Sequence, residues 1–146
     1  MSVKWISGVT PRQKLNGRLR AIEAELDRQM QLAVTTIDIR TQKQGKDAAG
    51  KPFKDYSPAY AKRKPKIGSG GRSGAKVNLN LTGAMLRAMQ SRVERRGNSF
   101  IGIVFISGKD EAAKARANNR IRRFFAFSKS QVTRISRALK SAKEGL

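Results

Sequence analysis

The sequence contains no cysteine and no histidine. The first absence excludes disulfides and thiolate metal sites; the second excludes imidazole ligands and the usual general base of nucleophilic catalysis. Carboxylates are scarce as well, with ten Asp and Glu against 32 Lys and Arg, a net charge of +22. No window approaches the length of a membrane span, and the N-terminal "MSVKWISGV" lacks the apolar run of a signal peptide, so a soluble, unprocessed chain is expected. The hydrophobic share is a modest 38%. Either the core is small or a neighbouring subunit completes it.

What is abundant is positive charge, and it is uneven. Residues 1–50 hold nine cations and five acids, residues 51–100 twelve and two, and residues 101–146 eleven and three. Such a field attracts polyanions, nucleic acid first among them. The length of 146 residues fits one domain spanning the whole chain.

Helical signals open the chain. Thr10, Pro11 and Gln13 make a capping-box start, and Leu15, Leu19, Ile22, Leu26, Met30, Ala33 and Ile37 follow three and four apart. A helix from there to Gln42, ending before Gly45, is about 45 Å long. That exceeds what a domain with a radius of gyration of about 15 Å encloses, so the helix is expected to reach its rim or beyond. A second, short helix begins at Ser57-Pro58. From Lys62 to Val77 the chain is rich in glycine and cations, which predicts a flexible basic loop.

"VNLNLTGAMLRAMQSRV" then turns a corner. Thr82 is the expected cap of a short helix with Leu81, Met85, Leu86 and Met89 as its apolar stripe. A β-hairpin follows about Gly97-Asn98, its first arm charged enough for a sheet edge and its second, Phe100 to Ile106, apolar on both faces and therefore central. "KDEAAKARANN" reads as helix and "RIRRFFAF" as a third strand. Ser128 to Gln131 forms a capping box, with Phe127 and Val132 as a hydrophobic staple, ahead of a last helix burying Val132, Ile135, Ala138 and Leu139. The expected fold is α+β: a long N-terminal helix and a small, mostly antiparallel sheet of hairpin plus third strand, with packed helices including a C-terminal one.

Catalytic patterns do not assemble. Glu23, Glu25 and Asp27 are the only acidic cluster, and with Arg20 and Arg28 beside them they read as solvated ion pairs. Asp110 and Glu111 complement a helix start. "GSGGRSG" lacks the spacing of a phosphate loop. No enzyme, metal or cofactor is expected. Lys62, Arg63, Lys64, Lys66, Arg72 and Lys76 are the candidate nucleic-acid contacts, electrostatic and blind to sequence, since no base-reading helix is apparent. Phe124 and Phe125 are expected in the core, not as a stacking platform.

The order of segments carries a resemblance. Gly50, Pro52 and Phe53 match a Gly-x-Pro-aromatic turn, Ser57 and Pro58 a helix start, and Leu81, Thr82 and Gly83 a Leu-Thr-Gly corner. Arg122, Phe124 and Ser128 match an Arg-x-Phe stretch leading into a capped last helix. From Leu15 to Leu139 the chain resembles the phage virion morphogenesis family, tail-completion or head–tail joining proteins similar to the G protein of phage Mu. It departs from that pattern at Phe53, where Trp is usual, in lacking a proline before the Arg-x-Phe stretch, and in "DEAAKARANN", which replaces a His-Gln-Gly segment.

The resemblance implies a non-enzymatic ring subunit in the neck or tail terminus of a virion, made in the host cytoplasm. Its partners would be further copies of itself, other neck, connector and tail proteins, and the genomic DNA passing through, with no membrane. Packing and assembly are expected to rest on Leu15, Leu19, Ile22, Leu26, Leu81, Thr82, Gly83, Ile101, Ile103, Phe105 and Phe124. The alternative is a free-standing basic protein that binds nucleic acid without sequence preference.

Overall fold

A three-stranded antiparallel sheet forms the floor of the molecule, with β3 (Ser99–Ile106) between β1 (Ser2–Gly8) and β2 (Met89–Arg96). The computed structural model describes residues 1–8, 16–67, 77, 79, 83–97 and 99–144. Helix α1 (Asn16–Ile39) lies across one face of this sheet, and α5 (Lys129–Glu144) packs on α1. Three shorter helices, α2 (Pro58–Ile67), α3 (Ala84–Arg87) and α4 (Lys109–Ile121), complete an α+β fold.

The hairpin forms as its sequence pattern requires. Gly97 has φ +56°, a conformation that costs glycine nothing, and the apolar arm β3 is central while the charged arm β2 is an edge. The third strand is not the expected one. Residues 122–128 are irregular, and β1 pairs instead with β3, Val3 opposite Val104 and Lys4 opposite Ile103. The backbone of 122–128 is engaged elsewhere: the carbonyls of Phe124 and Ala126 accept from Arg40, and that of Arg123 accepts from Ala48 N–H. Phe124 and Phe125 are both buried in the core cluster, where a strand would alternate them.

Alternation in β3 divides its side chains between two faces. Phe100, Val104 and Ile106 join the core under α1, and Gly102 lies where α1 comes closest. A Cβ at Gly102 would stand 2.7 Å from Met30 Sδ and 3.0 Å from Leu26 Cδ1. Ile101, Ile103 and Phe105 occupy the opposite face, where Arg92 holds its guanidinium 4.9 Å from the Phe105 ring centre. Ile103 is only 2% exposed. The strand's two-faced apolarity is therefore absorbed within one chain, and Ile103→Asp would be a folding lesion first.

Helix α1 likewise stays with its own domain. Buried residues run from Leu19 through Ile22, Leu26, Met30 and Ala33 to Ile37, nearly its full described length, so it does not overhang as its length suggested. Arg40–Gln44 then forms a single π-helical turn, closed by Gly45 in the left-handed region at φ 63°. Leu15 and the capping box at Thr10 lie outside the described residues, as do Leu81 and Thr82. At the corner the cap position falls on Gly83, φ +81°, rather than Thr82, and Met89 opens β2 instead of closing a helix.

The capping box of α5 is present in both directions: Ser128 N–H donates to Gln131 Oε1 at 2.8 Å and Gln131 N–H to Ser128 Oγ at 3.2 Å. Its buried face is Gln131, Ile135 and Leu139; Val132, expected inside, is exposed. The tight approach at Gly102 yields a direct prediction. Gly102→Ala forces Met30 to move within a packed core and should cost about 1–3 kcal/mol. It would lower the urea midpoint with an unchanged slope; an unaltered midpoint would contradict the close contact.

Candidate functional site

The predicted basic loop divides on inspection. Its first part is helical, because α2 begins at Pro58 with Ser57 Oγ accepting from Tyr60 N–H at 3.3 Å and runs to Ile67. Lys62 and Arg63 are exposed on it. Lys64 is not: it is 0% exposed, with Nζ 5.0 Å from the Tyr56 ring centre, and burial lowers its pKa. Lys64 is thus unavailable to a polyanion, a correction to the expected contact set. The backbone at Lys66 is helical, and Arg72 and Lys76 lie outside the described residues.

Two arginines are also internal, and both bind backbone. Arg122 donates through Nε to the Lys54 carbonyl at 2.7 Å and through Nη2 to the Asp55 carbonyl at 2.9 Å. Its guanidinium stacks 5.0 Å from Tyr56, on which Lys64 also rests, and the Tyr56 hydroxyl accepts from Leu79 N–H at 3.0 Å. Arg40 donates to the carbonyls of Phe124 at 2.7 Å and Ala126 at 2.9 Å, and to Gln131 Oε1 at 3.1 Å. Burial lowers its pKa, and the charge of Asp47 opposes that shift. Asp47 itself organises the Gly-x-Pro-aromatic turn. Its Oδ1 accepts from the N–H groups of Ala49 and Lys51, Gly50 takes φ +82°, and Phe53 is buried.

Two clefts flank these ties. One, of about 670 Å³, opens between residues 54–60 and α4, lined by Tyr60, Met85, Lys114, Asn118 and Ile121 among others. The other, of about 770 Å³, lies at the junction of α1, the 48–50 turn and the start of α5, and its described lining includes Arg123 and Lys129 but no carboxylate. Phe124 and Phe125 line neither cleft, and burial leaves no ring face for a base.

Glu25, Asp27 and Glu111 of the acidic clusters have local partners. Glu25 accepts from Arg28 at 2.7 Å and from Gln29 at 2.8 Å, and Arg28 in particular lowers its pKa. Asp110 and Glu111 sit in the first turn of α4, where Glu111 pairs with Lys114 at 2.8 Å. Among the described residues, no group of three or more His, Cys, Asp or Glu is placed to hold a metal ion, and no helix is long and apolar enough to cross a membrane.

The chain matches no protein-family model, no curated protein and no solved structure. Its candidate site residues are therefore judged on geometry. Of the six predicted contacts, Lys62 and Arg63 are the two whose side chains are placed at the surface. The internal roles of Arg40 and Arg122 were missed, since spacing does not distinguish a cation aimed at buried carbonyls from one in water.

Removing the Arg40 guanidinium by Arg40→Met takes the donor from the buried Phe124 carbonyl and the half-buried Ala126 carbonyl and should cost about 2–4 kcal/mol. Chemical denaturation measures it, and a loss below about 0.5 kcal/mol would refute the tie. Lys64 generates a pH prediction. A lysine whose pKa is lowered by folding binds fewer protons in the native state, so its penalty is complete below the folded pKa and is relieved as pH rises toward 10.5. The stability of Lys64→Met relative to wild type should accordingly fall from pH 7 into the alkaline range, measured as the difference in urea midpoints. A constant difference would show Lys64 to be solvated.

Proposed function

We propose that this chain is a structural subunit of a phage neck or tail-completion ring, assembling with copies of itself around the DNA channel and docking to neighbouring virion proteins. The observation that carries the reading is the role of the motif residues. Gly50 takes a positive φ within a turn tied by Asp47, Phe53 packs in the core, and Ser57 and Ser128 cap helices. Gly83 sets the corner before α3, and Arg122 binds two carbonyls. Each of these residues determines shape: Ser57, Ser128 and Arg122 border the two clefts, but their polar groups are engaged in helix caps and backbone carbonyls. That is the division of labour a scaffold subunit needs.

Apolar surface suited to assembly is present away from β3. Leu32 and Ile39, one heptad apart on α1, are each 38% exposed, and Ile121 at the end of α4 is 62% exposed. Charge at Ile121, the most exposed of the three, costs less in folding than at the half-covered Leu32 and Ile39, and it opposes burial against a neighbour.

Sedimentation and negative-stain microscopy of the purified protein, alone and with particles lacking it, test the reading. Closed rings, or restored joining of heads and tails, are the expected result. A monomer at high concentration that leaves such particles unjoined would overturn it. The variant I121D should keep the wild-type thermal midpoint within a few degrees and lose most of the assembled fraction. Unchanged assembly would remove this face from the interface.

A further inference from the structure

The positive charge of the described surface is not spread evenly over its helices. Helix α1 carries three cations and four carboxylates, and α4 carries four and two, with Asp110 and Glu111 within its first turn; the short α2 carries four and none, but Lys64 among them is buried. Helix α5 carries five cations, Lys129, Arg134, Arg137, Lys140 and Lys143, against the single carboxylate of Glu144. Among the described residues, Glu144 pairs with Lys140, at 3.7 Å.

Packing decides where those cations point. Gln131, Ile135 and Leu139 are buried, with α5 seated on α1. The opposite face reads Lys129, Thr133, Arg137 and Lys140 at steps of three and four, with Lys143 beside it, all exposed. Lys129 also belongs to the lining of the cleft of about 770 Å³, together with Arg123, where no described carboxylate intervenes. From Lys129 to Lys143 the row covers about 21 Å. That matches the axial rise of about six base pairs of duplex.

We infer that the outer face of α5, extended at its N-terminal end by Arg123, is the surface that meets the phosphate backbone of duplex DNA. The inference rests on the ring reading and gives its DNA channel a lining. It adds a second surface to the expected contact, from which burial removes Lys64 while Lys62 and Arg63 stay exposed. Long, flexible cations in a row without acids suit a backbone that is read by charge alone. An anionic lipid surface fits less well, because a helix lying in a membrane interface needs a free apolar face, and Ile135 and Leu139 are committed to the core.

The test compares two triple variants of equal net charge, R137Q/K140Q/K143Q on α5 and K109Q/R116Q/R120Q on α4. Fluorescence anisotropy with unrelated duplexes, titrated between about 50 and 200 mM salt, reads affinity and salt slope. The α5 variant should lower the slope by about three, one per removed phosphate contact, while the α4 variant changes it by less than about one. Equal slopes for the two variants would overturn the inference, as would loss of binding to anionic vesicles with DNA binding intact. Sedimentation of the same proteins separates this from the assembly reading. Rings that form normally but show no α5 effect defeat the DNA-facing assignment alone, whereas a wild type that never assembles and still shows the α5 effect defeats the ring alone.

Discussion

The guanidinium of Arg40 joins parts of the chain that no regular structure joins. It stands at the end of α1 and donates to the irregular stretch at Phe124 and Ala126, and to Gln131 in the first turn of α5. Gln131 Oε1 also accepts from Ser128 N–H, so the same oxygen that receives Arg40 closes the capping box. If that charge were removed, one buried and one half-buried carbonyl would lose this donor and the entry of α5 onto α1 would lose its fixed point. A buried cation is costly, and it is tolerated where several hydrogen bonds replace its water. Asp47 adds an opposing charge from the adjoining turn.

Arg122 repeats the device at the other irregular segment, binding the carbonyls of Lys54 and Asp55. Residues 45–57 and 122–128 contain almost no strand pairing, only the bridge of Lys46 with Pro52. Several of their carbonyls accept from backbone N–H groups, and those of Lys54, Asp55, Phe124 and Ala126 accept from arginine, which supplies a planar fork that stays charged. Part of the cationic excess is thus internal framework. The surface pairs, such as Arg92 and Arg96 with Glu94, are exposed and contribute little to stability by comparison. Much of what remains unbalanced lies on α2, at Lys62 and Arg63, and on α5, where the core claims one face and leaves the other to charge.

Periodicity was sufficient for much of the fold. The core row of α1, the hairpin with its central apolar arm, α4 with its acidic first turn and the reciprocal box of Ser128 and Gln131 were all legible, because each depends on neighbours within a few residues. β1 was overlooked although Val3, Trp5 and Ile6 ahead of Gly8 offered a strand signal. Nothing local identifies which segment completes a sheet, and the aromatic run at Phe124–Phe125 presented a rival of similar composition.

The sequence by itself determined the class of the protein: a strongly cationic α+β chain whose turns and caps are written in glycine, serine and glutamine at fixed spacings. Tertiary structure alone decided which cations face water. Lys64, Arg40 and Arg122 are indistinguishable in composition from Lys62, Arg63 and Arg123, yet three are buried and three exposed. The difference arises from tertiary geometry: Arg40 and Arg122 meet carbonyls 84 and 68 positions away, and Lys64 is covered by packing although its ring partner Tyr56 is close in sequence.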